Sequence, residues 1–130
     1  MNFKPNNPIY LQVVDYFCEK VLTLAWRDGD KLPAVKALAE LTAVNPNTVI
    51  KALGCLQDHD ILIARRGIGY FLTGSAHANT LALKRQQFIE VDLPQLFASM
   101  QLLGLGFAEL QRSYLQQGLA PVTGEQSSQP

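Results

Sequence analysis

The 130-residue chain is 48% apolar and 17% charged, with no formal net charge. It has room for one domain with its own core plus a small appendage, and its apolar content excludes a largely disordered chain. No stretch supplies the ~18 uncharged apolar residues of a spanning helix, and residues 1–10 lack the apolar centre of a signal peptide, so a soluble, cytoplasmic protein with no membrane partner is expected. Cys18 and Cys55 stand far apart, without a CxxC pair or a nearby histidine pair. They read as buried free thiols, and neither a metal nor a cofactor is called for.

In chain order, Pro8 opens an amphipathic helix. Leu11, Val14, Phe17, Cys18, Val21, Leu22 and Ala25 recur at three- and four-residue steps until Asp28-Gly29-Asp30 ends it. Leu32-Pro33 leads into a short second helix with Val35, Leu38, Ala39 and Thr42 on one face. Asn45 is suited to cap, and Pro46 to open, a third helix whose inward face is Val49, Ala52, Leu53 and Leu56. Asn47, Thr48, Ile50 and Lys51 are left near its N-terminal end and partly outward. Helix, short turn and helix of these lengths make a helix-turn-helix.

Residues 61–65 and 70–73 read as strands of a hairpin, joined through Arg66-Gly67-Ile68-Gly69. Two arginines and two glycines at one tip make a wing. From Ala76 the pattern is helical again as far as Gly104, with Pro94 leaving open one kinked helix or two, Asp92 being the N-cap in the second case. A last helix covers about residues 106–117. Residues 118–130, short of apolar residues and rich in Gly, Pro, Ser and Gln, read as a disordered tail. The chain is thus expected to be mainly α with a small β-hairpin: a winged helix-turn-helix over 1–75, then a two-helix dimerisation region over 76–117.

Three blocks, Leu32-Pro33-Ala34-Val35-Lys36-Ala37-Leu38-Ala39, Val44-Asn45-Pro46-Asn47-Thr48-Val49 and Arg65-Arg66-Gly67-Ile68-Gly69-Tyr70-Phe71, resemble the GntR family of transcription regulators in order and spacing. The form of the second block and the short C-terminal region are similar to the YtrA subfamily, which implies a two-helix dimerisation region and control of transporter-type operons. The resemblance also implies that Lys36 stands where a DNA-contacting arginine is usual, that Asn47, Thr48 and Lys51 lie in the recognition helix, and that Arg65, Arg66 and Gly67 belong to the wing. Four residues depart from the family pattern: Ala34 for a capping serine, Lys36 for arginine, Gly54 within the recognition helix, and Asp60 where glycine usually ends it.

The expected DNA-binding residues are therefore Lys36, Asn45, Asn47, Thr48, Lys51, Arg65, Arg66, Gly67 and Gly69, with double-stranded operator DNA as partner. Leu93, Leu96, Phe97, Met100, Leu103, Phe107, Leu110 and Tyr114 are too apolar for two helices to bury alone, so a homodimer is expected, and with it a roughly palindromic site and repression by occupancy. An effector of unspecified class has two places to act, a pocket between the C-terminal helices or the angle between paired heads. Zero net charge favours the other reading, a winged-helix adaptor for proteins. Nothing resembles an enzyme's nucleophile and base. Asp58-His59-Asp60 reads as a helix end, with His59 offsetting the dipole, and His77 reads as a solvated linker residue.

Overall fold

The computed structural model describes residues 8–118; the expected tail beyond Gly118 lies outside them. The chain divides into two compact units that part between Gln86 and Gln87. The first contains α1 (Ile9–Leu22), α2 (Val35–Thr42), α3 (Pro46–Asp58), a hairpin of β1 (Leu62–Arg65) and β2 (Gly69–Leu72), and nearly all of α4 (Ala76–Gln87).

The core of this unit is a three-helix packing closed by the base of the hairpin. Val13, Phe17, Cys18 and Val21 of α1 meet Leu38 of α2 and Val49, Ala52, Leu53 and Leu56 of α3, with Ile61, Leu62, Leu72 and Ala76 beneath. The spacing of these residues is that of helices with one apolar stripe each. The stripe of α1 is displaced from the expected one: Gln12 and Val13 are buried, whereas Leu11 is exposed. The helix also stops short of Asp28. Leu24 adopts φ 64°, and the Trp26 N–H donates to the Lys20 carbonyl at 3.0 Å, bringing the indole to 5.4 Å from the Phe17 ring. Burying Trp26 against the core thus competes with another helical turn, and Ala25 lies outside the helix and exposed.

The hairpin pairs Leu62 with Leu72 and Arg65 with Gly69. It is anchored to the loop before α2: the Leu32 N–H donates to the Tyr70 carbonyl and the Leu72 N–H to the Asp30 carbonyl, each at 2.8 Å. Lys31 therefore faces Phe71 as a one-residue third strand. The left-handed position expected at Asp60 is present, with φ 56°, and the Asp60 carbonyl accepts from Thr73 Oγ1 at 2.8 Å and Asn79 Nδ2 at 3.0 Å. Asp28 Oδ1 accepts the His77 N–H at 2.9 Å, and Lys84 Nζ pairs with Asp15 at 2.7 Å, so α4 is fastened to α1 and to two loops. His77 is a half-buried member of the first turn of α4, not the solvated linker residue expected.

The second unit contains a π-helical turn (Phe88–Asp92), α5 (Leu93–Leu103) and α6 (Phe107–Gln116). Within this unit helical residues follow one another without a break from Gln87 to Leu103, so no second helix starts at Pro94. Asp92 is consequently not an N-cap: at φ −72°, ψ −41° it is helical, and its side chain caps nothing. Pro94 lacks an N–H and cannot join the regular ladder; the turn before it widens, with the Leu93 N–H donating to the Phe88 carbonyl. Gly104 (φ 69°) ends α5 in the left-handed region, and Glu109 Oε1 accepts the Gly106 N–H at 3.1 Å to start α6.

Candidate nucleic-acid interface

The turn between α2 and α3 is built from the backbone outward. Ala43 takes φ 57°, ψ 38°, a left-handed conformation that L-residues other than Asn, Asp and Gly seldom adopt, and it stops α2. Two residues later Asn45 Oδ1 accepts the Asn47 N–H at 2.7 Å, and Pro46 supplies a ready-made helical φ. The Asn45 side-chain oxygen is thereby occupied, and the residue acts by setting where α3 begins. Along α3, Val49, Ala52, Leu53 and Leu56 turn to the core. At ~100° per residue the opposite side carries Asn47 and Lys51, flanked by Ile50, all of them exposed; Thr48 is half-buried.

Lys51 does not project freely. Its ammonium lies 4.1 Å from the centroid of the Tyr10 ring on α1, an arrangement in which the negative ring face attracts the cation. Tyr10 escaped the sequence reading as a participant, because a cation–ring contact between residues forty-one positions apart leaves no local pattern.

The wing places Arg65 with its guanidinium 5.0 Å from the Phe71 ring, and exposes Arg66, Gly67 and Ile68 at the tip. Gly67 (φ 75°) and Gly69 (φ 139°) lie where a side chain would strain the backbone, and a Cβ at Gly69 would also press on Lys31 Cε at 3.3 Å. The base of the wing and the start of α2 enclose a cleft of about 400 Å³, lined by residues 31–35 and 68–70. Lys31, which the sequence reading also passed over, stands at this cleft, and Lys36 is exposed in the first turn of α2 just beyond it. Ala34 gives α2 no side-chain cap. The expected basic residues thus fall in three places: Lys36 beside the wing cleft, Lys51 against α1, and Arg65 and Arg66 on the hairpin.

Elsewhere in this unit, His59 Nδ1 lies 3.0 Å from the Cys55 carbonyl at the end of α3, the helix-end arrangement expected of it. No group of three metal-ligating side chains occurs among the described residues. Burial pushes the Cys18 thiol up to about 11 from 9.0; Cys55, half-buried, is also raised, again chiefly by desolvation. Among the described residues no helix is long and apolar enough to cross a membrane.

In the second unit none of the eight apolar residues assigned to dimerisation is buried. Phe107 is 73% exposed, Leu103 68% and Phe97 52%. Phe97, Met100 and Leu105 line an open groove of about 430 Å³ across the α5–α6 turn, floored by Gly104 and Gly106.

A capped helix with a polar outer face, preceded by a short helix and followed by a glycine-tipped basic hairpin, defines the winged helix-turn-helix class of DNA-binding proteins. Residues 9–72 match the bacterial regulatory proteins of the gntR family. The chain is 33% identical to the HTH-type transcriptional repressor YtrA of Bacillus subtilis (strain 168) over 107 residues, 82% of either chain. It is 36% identical to YhcF, an HTH-type transcriptional regulator of the same organism, over 57% of this chain and 61% of that one. Among solved structures, a GntR family transcriptional regulator from Listeria monocytogenes superposes with a TM-score of 0.72 at 27% identity, covering 88% of this chain and 98% of that one. The protein belongs to the GntR family of DNA-binding transcription regulators.

Proposed function

We propose that this protein is a repressor that binds a roughly palindromic double-stranded operator as a homodimer. The observation that carries the reading is the capped α3, whose outer face presents Asn47 and Lys51 in the same unit as a basic wing. In this reading Asn47, Thr48 and Lys51 enter the major groove, and Arg65 and Arg66 track the neighbouring minor groove. Gly67 and Gly69 let the wing backbone come close, and Lys36 and Lys31 neutralise phosphates. Asn45 sets the entry angle. Lys36 in place of an arginine fork supplies charge without bidentate geometry, so it contributes affinity more than base choice.

The homodimer is supported by the exposure of Phe97, Leu103 and Phe107; a two-fold pairing of α5 and α6 would remove them from water. Two identical heads then select two inverted half-sites. The name of YtrA supports repression as the sign of regulation. Selection from a random duplex library, followed by light scattering of the complex, tests the reading. Enrichment of an inverted repeat bound by two chains is the expected result. A single unrepeated site bound by one chain would remove the dimer, and enrichment of no site would favour a winged-helix adaptor for proteins.

A further inference from the structure

Ile50 is the outlier on the recognition helix. It lies one turn after Asn47 and next to Lys51, and it is 47% exposed, whereas Val49, Ala52 and Leu53 around it are buried completely. Exposing a β-branched apolar side chain in the first half of a helix with a polar outer face costs solvation and helix propensity together. The neighbouring lysine is drawn to the α1 flank by Tyr10, and Ile50 occupies the other flank at ~100° per residue. Four residues on, Gly54 has no Cβ, and a Cβ there would meet nothing within 4 Å, so no internal packing demands the glycine and the surface beside Ile50 is left low.

In the major groove the one apolar feature of a base edge is the 5-methyl group of thymine. We infer that Ile50 is a specificity-determining residue that packs on a thymine methyl in each half-site, beside the bases met by Asn47. This inference rests on the operator-binding reading above and deepens it. Contact with the methyl removes apolar area from both partners and offers nothing to cytosine, which presents an amino donor at the corresponding edge.

The test uses the full-length chain and a duplex selected from a random library. Each thymine is replaced in turn by deoxyuracil, which deletes the methyl and keeps every hydrogen-bonding group. At one thymine per half-site the wild-type protein loses about three- to fivefold in affinity per methyl, the scale of one buried methyl-sized group. Ile50→Ala binds the thymine duplex more weakly and no longer distinguishes it from the deoxyuracil duplex, while Ile50→Val keeps part of the discrimination. Alanine is the better helix former, so thermal melting of Ile50→Ala matches wild type and separates lost recognition from lost folding. A flat deoxyuracil scan on a duplex that is bound selectively overturns the inference and leaves the operator reading standing. Discrimination that persists in Ile50→Ala also overturns it and assigns the methyl contact to a residue other than Ile50. Failure to select any duplex overturns both.

Discussion

The two units use apolar residues in opposite ways. In the first, Phe17, Leu38, Leu53, Leu56 and Ile61 are sealed from solvent within one chain. In the second, residues of the same kind from Leu93 to Leu115 stay exposed or half-buried. Hydrophobic burial scales with the area removed from water, so the first unit carries its own stability, whereas the second has its apolar surface ready for another surface. The residues proposed to read DNA sit on the unit with the sealed core, and the residues assigned to pairing sit on the one with the exposed apolar surface.

The largest effect should come from the first unit. Leu53→Ala opens a cavity beneath the recognition helix and should cost about 2–5 kcal/mol in denaturant unfolding. Next, if the chain pairs as proposed, Leu103→Asp with Phe107→Asp should leave it monomeric at micromolar concentration by sedimentation while its helical circular dichroism stays close to wild type. Retention of the dimer would show that the exposed face of α5 and α6 is not where the chains meet. Asn45→Ala removes the oxygen that holds the Asn47 N–H and should lower stability by about 1 kcal/mol, with a further loss in operator affinity as α3 frays.

Smaller still is Ala43→Gly. It relieves a left-handed alanine at the price of a looser unfolded chain and should raise stability by about 0.5 kcal/mol in thermal melts. The Cys18 thiol gives a pH signature. Its folded value, near 11, exceeds the ordinary 9.0, so the unfolded chain releases the proton first. The contribution is therefore fully present below about pH 9 and is lost as pH rises towards 11. Cys18→Val should remove that part of the slope in pH-dependent unfolding.

Much of the first unit was legible in the sequence because its signals are local. Asn45-Pro46 marks a helix start through cap chemistry, Asp60 marks a helix end through tolerance of positive φ, and the glycines at 67 and 69 mark the hairpin tip. The shorter α1 was not legible, because its end is decided by Trp26 packing on Phe17, a tertiary gain that outweighs further helical hydrogen bonds. Asp92 looked like a cap from its place before Pro94, yet the backbone stays helical there by widening one turn, an option that leaves no compositional trace. At the candidate interface, the charged and polar residues of α3 and the wing could be read from motif and periodicity. Tyr10 and Lys31 could not, since each joins only through a partner brought close by folding, Lys51 in one case and Gly69 in the other.

The most direct test is fluorescence anisotropy of the full-length protein on labelled duplex from its own upstream region, with a scrambled competitor, across a salt series. The account predicts saturable binding of two chains per site, a preference over the scrambled duplex of ~10³ or more, and a steep loss of affinity with salt as counterions are released. Equal affinity for both duplexes, together with a random-library selection that enriches no sequence, would contradict it.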